Sequence, residues 1–310
     1  MRRLILTILT SALAWLAASS QGLNIPAGHW GISFGNSTRF NGIRFNLVDK
    51  DIERINGISF SVWGIKDEAR QTGTVNGISI GLPAVLGTGS RNGINMGIIG
   101  TGARQDLKGV NLGGLGVGAG NDLKGLNLGL LGIGAGNDLC GINIGGLGAG
   151  AGGTLTGINL GGLGVGASGD VKGLSLGGLA VGAGGSVRGF SMSVLAVGSG
   201  EEVAGISLAG GVVGGPRMSG LQAALVIGGE QVQGISIAPA YFRIESPEGY
   251  MKGLSVSAFN HVRGEVFGIC IGVFNWARSV HGFQLGVLNH VKSNPRGLRW
   301  LPVFNTSFGS

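Results

Sequence analysis

Residues that could do chemistry are few and lie far apart. The 310-residue chain holds four histidines, two cysteines and fifteen acids. His261 and His290 share the contexts FNHV and LNHV, and His281 belongs to a turn. A protein metal site draws His, Cys or carboxylate ligands at short, fixed spacings, and no Cys/His spacing of that kind occurs. Glu201 and Glu202 are adjacent, so on a strand they face opposite ways and read as a solvated turn. Neither a Gly-x-Ser-x-Gly elbow nor a phosphate-binding Walker sequence is present. The chain is therefore expected to have no catalytic residues and no cofactor, and not to be an enzyme.

One pattern comes near a metal site. GAGND at 118–122 and 134–138 resembles the turn of calcium-binding nonapeptide repeats. Asp106, Asp122, Asp138 and Asp170 fill the acidic slot and are the only metal candidates, while Thr154 interrupts the series. Calcium takes six to eight oxygens, and one carboxylate per turn supplies too few. The apolar residue also follows Asp by one position rather than two, and the interval is sixteen rather than nine. No metal is expected.

The elements that carry these residues are set by composition. Glycine accounts for 67 residues, prolines number 7 and charged residues make up 12%. Collagen would need more proline and a glycine at every third position. Apolar residues at 43% exclude ordinary disorder, and two cysteines exclude a disulfide-stapled fold.

The glycines are periodic. A motif Gly-apolar-(Asn/Ser)-apolar starts at Gly77, Gly93, Gly109, Gly125, Gly141, Gly157, Gly173, Gly189 and Gly205, always sixteen residues apart. It continues at Gly220, Gly234, Gly253, Gly268, Gly282 and Gly297 with intervals of 14 to 19, and weaker copies begin at Gly31, Gly42 and Gly57. With the glycine as position 0, apolar residues fill positions 1, 3, 6, 8, 10 and 14, as in GLNLGLLGIGAGNDLC from Gly125. Positions 1 and 3 alternate in one phase and 6, 8 and 10 in the other. If all six point inward, the phase must flip at positions 4–5 and again at 15–0, at glycine corners.

An all-β solenoid of about sixteen residues per coil satisfies this pattern. The alternative is a transmembrane or hairpin-petal β-barrel, with one strand per repeat. A lipid-facing strand must keep one phase, and the flips argue against it. Stacked coils would align Asn95, Asn111, Asn127, Asn143 and Asn159 in an amide ladder, continued by the hydroxyls of Ser175, Ser191 and Ser207. A second ladder is expected at Asn260, Asn275 and Asn289. Cys140 and Cys270 would lie roughly 40 Å apart at about 4.8 Å per coil, which predicts two free thiols.

The expected organisation has four parts. Residues 1–20 read as a signal peptide, with Arg2 and Arg3 before the apolar run Leu4–Ala18 and small residues at 18–20. Residues 21–72 form N-terminal capping and irregular repeats, 73–219 the regular repeats, and 220–310 irregular aromatic-rich repeats with a C-terminal cap. Loss of the signal lowers the formal charge from +7 to +5, a small, spread excess that does not suggest nucleic-acid binding.

The copies GLNLGLLGIGAGNDL, GICIGVFNWA and GFQLGVLNHV resemble bacterial exported surface-repeat proteins with tandem GLNIG- or GLQIGLxN-type repeats. The resemblance covers about Gly77 to Asn305. It implies a cell-surface, outer-membrane or extracellular location and no known activity. The expected function is a structural or adhesive role, with an outer-membrane barrel as the alternative. The partner is expected to be a surface or envelope component, or a second copy of the chain. The outward positions of the middle copies, taken as Gly, Asn and Ser, would present flat and weakly charged sheets.

Overall fold

A computed structural model describes residues 22–26, 28–63, 72–87 and 89–308. The expected signal segment, residues 1–20, lies outside the described residues. The chain is a β-solenoid of about 13 turns with about 16 residues per turn. It divides into two compact units, residues 1–147 and 148–310. No helix among the described residues is long and apolar enough to cross a membrane.

Each regular coil has one long and one short strand. In the first unit Leu123–Gly129 is followed by Gly132–Ala135, with corners at residues 130–131 and 136–138. Leu123–Gly129 pairs in parallel with Leu107–Gly113 on one side and Leu139–Gly145 on the other, each residue facing its equivalent sixteen positions away. The second unit repeats this arrangement, with Gly157, Gly173, Gly189 and Gly205 in one register. Parallel self-registered coils are not a barrel, whose neighbouring strands run antiparallel. Antiparallel strands occur at the ends: Leu23–Ile25 along Ile32–Phe34, and Trp300–Asn305 along Gln284–His290.

The repeat glycine is required by geometry. From Gly31 to Gly282 the repeat glycines have φ between +105° and +142°, a region that side chains disfavour. A Cβ on Gly125 would also stand 2.0 Å from the Gly109 carbonyl oxygen. The coil before it therefore occupies the space a side chain would need. Gly42 and Gly57 share both features, so the weaker upstream copies stack on their neighbours as the regular ones do. Gly297 leaves the series and lies in the short 3-10 turn Arg296–Leu298.

The expected phase flips are absent, and this corrects the inside-out assignment. Leu123, Asn127, Gly129, Ile133 and Ala135 all face inward, so the even positions 14, 2, 4, 8 and 10 line the interior. The odd positions 1 and 3 face out, as does the corner residue at position 6. The inward positions keep one parity through the coil, interrupted only where three successive residues face outward at each corner, and three of the six apolar columns stand outside. The interior is too narrow to take them. It is filled by one Leu or Val column, one Val or Ile column, one Ala column and the asparagines.

The amide ladder forms as expected, but inside the coil rather than on the outward positions assigned to it. Asn95 Nδ2 donates to Asn111 Oδ1 at 2.9 Å, Asn111 to Asn127 at 2.7 Å and Asn127 to Asn143 at 2.8 Å. In the second unit Asn260 donates to Asn275 and Asn275 to Asn289, both at 2.7 Å. The serine continuation differs. Asn159 reaches Ser175 Oγ at 3.3 Å, but the hydroxyls of Ser191 and Ser207 are buried without partners among the described residues. A hydroxyl on a single carbon is too short to span one coil rise of about 4.8 Å. A further ladder, missed in the sequence, runs along the outside of the first unit through Asn41, Asn56, Asn76 and Asn92 at 2.6–2.9 Å. Its signal was an Asn-Gly pair in four successive copies.

Two glycine substitutions separate required from optional glycine. Gly125→Ala should cost at least about 2 kcal/mol in urea unfolding, because it combines a strained φ with a clash. Gly118→Ala should be neutral or stabilise by up to about 1 kcal/mol. A Cβ there points outward, 3.8 Å from its nearest neighbour. Equal costs at both sites would contradict the column geometry.

Candidate functional site

The metal candidates are spread along a corner and already engaged. Asp106 binds Lys108 Nζ at 2.7 Å through one oxygen and accepts from Asn121 Nδ2 at 2.9 Å through the other. Asp122 repeats this with Lys124 at 2.6 Å and Asn137 at 3.0 Å. Asp170 binds Lys172 at 2.7 Å and accepts from the Ser186 amide at 2.8 Å. The hydrogen bonds from these lysines come first among the causes that hold all three carboxyls below the usual value. Each carboxylate ties its own coil to the next. Among the described residues no group of three or more His, Cys, Asp or Glu side chains gathers as a metal site requires. Asp138 occupies the same corner position and is also engaged.

The histidines His261 and His290 do not meet. Trp276 stands between them, with ring centroids 4.9 Å from His261 and 5.7 Å from His290. His261 Nδ1 lies 3.0 Å from the Tyr241 hydroxyl. Burial, reinforced by neighbouring cations, lowers the pKa of both rings. Both cysteines are free thiols. Cys270 is fully buried and its pKa is pushed up to about 12 by burial. Cys140 takes the outward place that Lys124 holds one coil earlier.

The first unit contains a charged cluster that the sequence reading overlooked. The Asp49 carboxylate is buried between Arg44 and Arg91. Both arginines are at most 1% exposed. Arg44 also donates to the Ser37 carbonyl and the Ser59 hydroxyl, and Arg91 to Ser79 Oγ and the Leu86 carbonyl. Burial alone would raise the Asp49 pKa. The two arginines, with hydrogen bonds from Asn46 and Ser61, outweigh it and hold it below the usual value. The signal was visible in the register: Arg91 sits two residues before its repeat glycine, where Leu107, Leu123 and Leu139 stand in later coils.

The cluster carries one net positive charge, and the amide ladder begins beside it. Asn95 stacks on Ser79, the residue Arg91 binds. From Asn95 to Asn143 the ladder amides point the same way, so their carbonyl ends face the arginines. Aligned amide dipoles stabilise a buried cation at that end.

The main outer feature is apolar. Ile98, Ile99, Leu115, Leu130, Leu131 and Leu147 are exposed, Leu130 to 74%. This corrects the expectation of flat, polar sheets. Between the columns of position 3 and position 5 runs a trough of about 600 Å³ across the first unit. Ile80, Met96, Leu112, Leu128 and Ile144 form one wall, and Leu82, Ile98 and Leu130 stand along the other. The second unit continues the motif on its own coils with Leu163, Leu179, Val194 and Leu195. Compared with known protein families, curated proteins and solved structures, the chain matches none.

Two measurements check this geometry. Asp49→Asn should destabilise the protein by about 3–5 kcal/mol, since it strands two buried guanidinium groups. The Asp49 contribution is present above the unfolded carboxylate pKa and is lost as pH falls through the lower folded value. The wild-type melting temperature should therefore fall in acid more steeply than that of the variant. In native protein a maleimide should modify Cys140 alone, with Cys270 reacting only after denaturation, as read by mass spectrometry. Rapid native labelling of Cys270 would contradict its burial.

Proposed function

We propose that the protein is a non-enzymatic, exported surface protein with a structural or adhesive role. Export is inferred from the basic start and apolar run of residues 1–20, and surface location from the repeat resemblance. The observation that carries the reading is the set of registered apolar columns on the outside of the coils. Exposed apolar side chains lined up in register along one face, rather than scattered singly, mark a contact surface. Within each unit the stacked coils repeat one contact many times, which suits adhesion or structural packing. The partner is an envelope or surface component with a complementary apolar face.

The test changes the outer columns and leaves the interior alone. Ile98, Leu130 and Leu131 are replaced together by serine. The melting temperature should stay within about 3 °C, because these side chains stand in solvent. Retention of the protein on producing cells through a high-salt wash, scored by immunoblot, should fall severalfold. A variant retained as well as wild type would remove the apolar columns from the function.

A further inference from the structure

One face of the second unit changes character along its length. At Gly182, Gly198, Gly214 and Gly228 the outward positions of the short strand are bare. From Arg243 onward the same face, joined through the Glu245 amide to the Gly229 carbonyl, carries large side chains. One column is Arg243, His261, Trp276, His290 and Trp300, in successive contact. Beside it Arg263, Arg278 and Lys292 occupy equivalent outward positions two residues further along each coil, and all three are exposed.

These cations differ from those of the regular coils. There Lys108, Lys124 and Lys172 each meet an aspartate of their own corner. Among the described residues no ion pair joins Arg263, Arg278 or Lys292 to an acid: Glu245, which holds the equivalent place one coil before Arg263, pairs with Arg243 instead, and Arg278 only donates to the Pro247 carbonyl at 3.2 Å. Residues 266–310 contain Arg278, Lys292, Arg296 and Arg299 and no acid at all. Like charges stacked at about 4.8 Å repel, so the row destabilises the free protein. Two buried polar atoms of the neighbouring column, Arg243 Nε and His290 Nδ1, also lack partners among the described residues.

We propose that this face binds a linear acidic polysaccharide along the coil axis, its anionic groups meeting Arg263, Arg278 and Lys292. The proposal rests on the adhesive reading and names a partner for it. The rise of one coil is close to that of one sugar in an extended chain, so a polymer with regularly spaced carboxylates or sulfates keeps step with the row. A nucleic acid fits less well. Trp276 is covered by His290 on one side and His261 on the other, which leaves no open ring in mid-column for a base to stack on. A bilayer would call for a broad apolar field, whereas the charge here is a single line.

Isothermal titration of the purified full chain tests this at low and at raised salt. The probes are polygalacturonate for carboxylates, heparin for sulfates, dextran as neutral control, an oligothymidylate and phosphatidylglycerol vesicles. At least one acidic polysaccharide should bind, more weakly as salt rises, and dextran should not. Charge reversal at the three positions (R263E, R278E, K292E) should lower that affinity by at least about tenfold. The glutamine counterparts should lower it less, with an unchanged melting curve. The serine variant of Ile98, Leu130 and Leu131 should bind the polysaccharide like wild type. The proposal is overturned if neither acidic polysaccharide binds at low salt, if reversal leaves affinity unchanged, or if oligothymidylate or vesicles bind as tightly. Lost polysaccharide binding with apolar-dependent cell retention intact removes this inference alone; the opposite pattern removes only the apolar contact.

Discussion

Close backbone contact at one glycine per coil governs the structure. Each repeat glycine holds a φ that side chains disfavour, and the carbonyl of the preceding glycine fills the place of its missing Cβ. Coils can nest at this point in only one register. With register fixed, every other position becomes a column. A residue then interacts chiefly with its own kind one coil away, and the chemistry of the protein is the chemistry of like stacked on like.

Columns reward some residue types and penalise others. An asparagine is both donor and acceptor, so a buried column of them satisfies itself at 2.7–2.9 Å per step. Serine in the same column leaves buried hydroxyls unpartnered because it is too short. Charges stack badly unless an opposite charge is supplied. At the corners an aspartate answers each lysine. In the first unit Asp49 answers two arginines. On the last coils no acid does so among the described residues, and that exception singles out the cationic row.

Much of the fold was legible before any coordinates. The sixteen-residue period, the amide ladder and the two free thiols follow from register alone, and register is written in the spacing of glycines. The directions of the side chains were misread. Assigning every apolar residue to the interior forced two phase flips that do not exist, and the case against a barrel leaned on them. The solenoid stands on a different fact, the parallel pairing of each residue with its equivalent in the next coil. The Arg44–Asp49–Arg91 cluster was hidden for a related reason: Asp49 and Arg91 are 42 residues apart and meet only because coils bring them level.

Sequence by itself determined the period, the glycine column and which residues stack on which, because a one-dimensional array turns spacing directly into neighbours. Only the tertiary structure decided which side of the strand is the inside. A strand alternates in the same way whichever face is buried, and the deciding quantity is the width of the coil. This coil encloses four side-chain columns and one of glycine, so asparagine went in and three columns of leucine and isoleucine were left facing the surroundings.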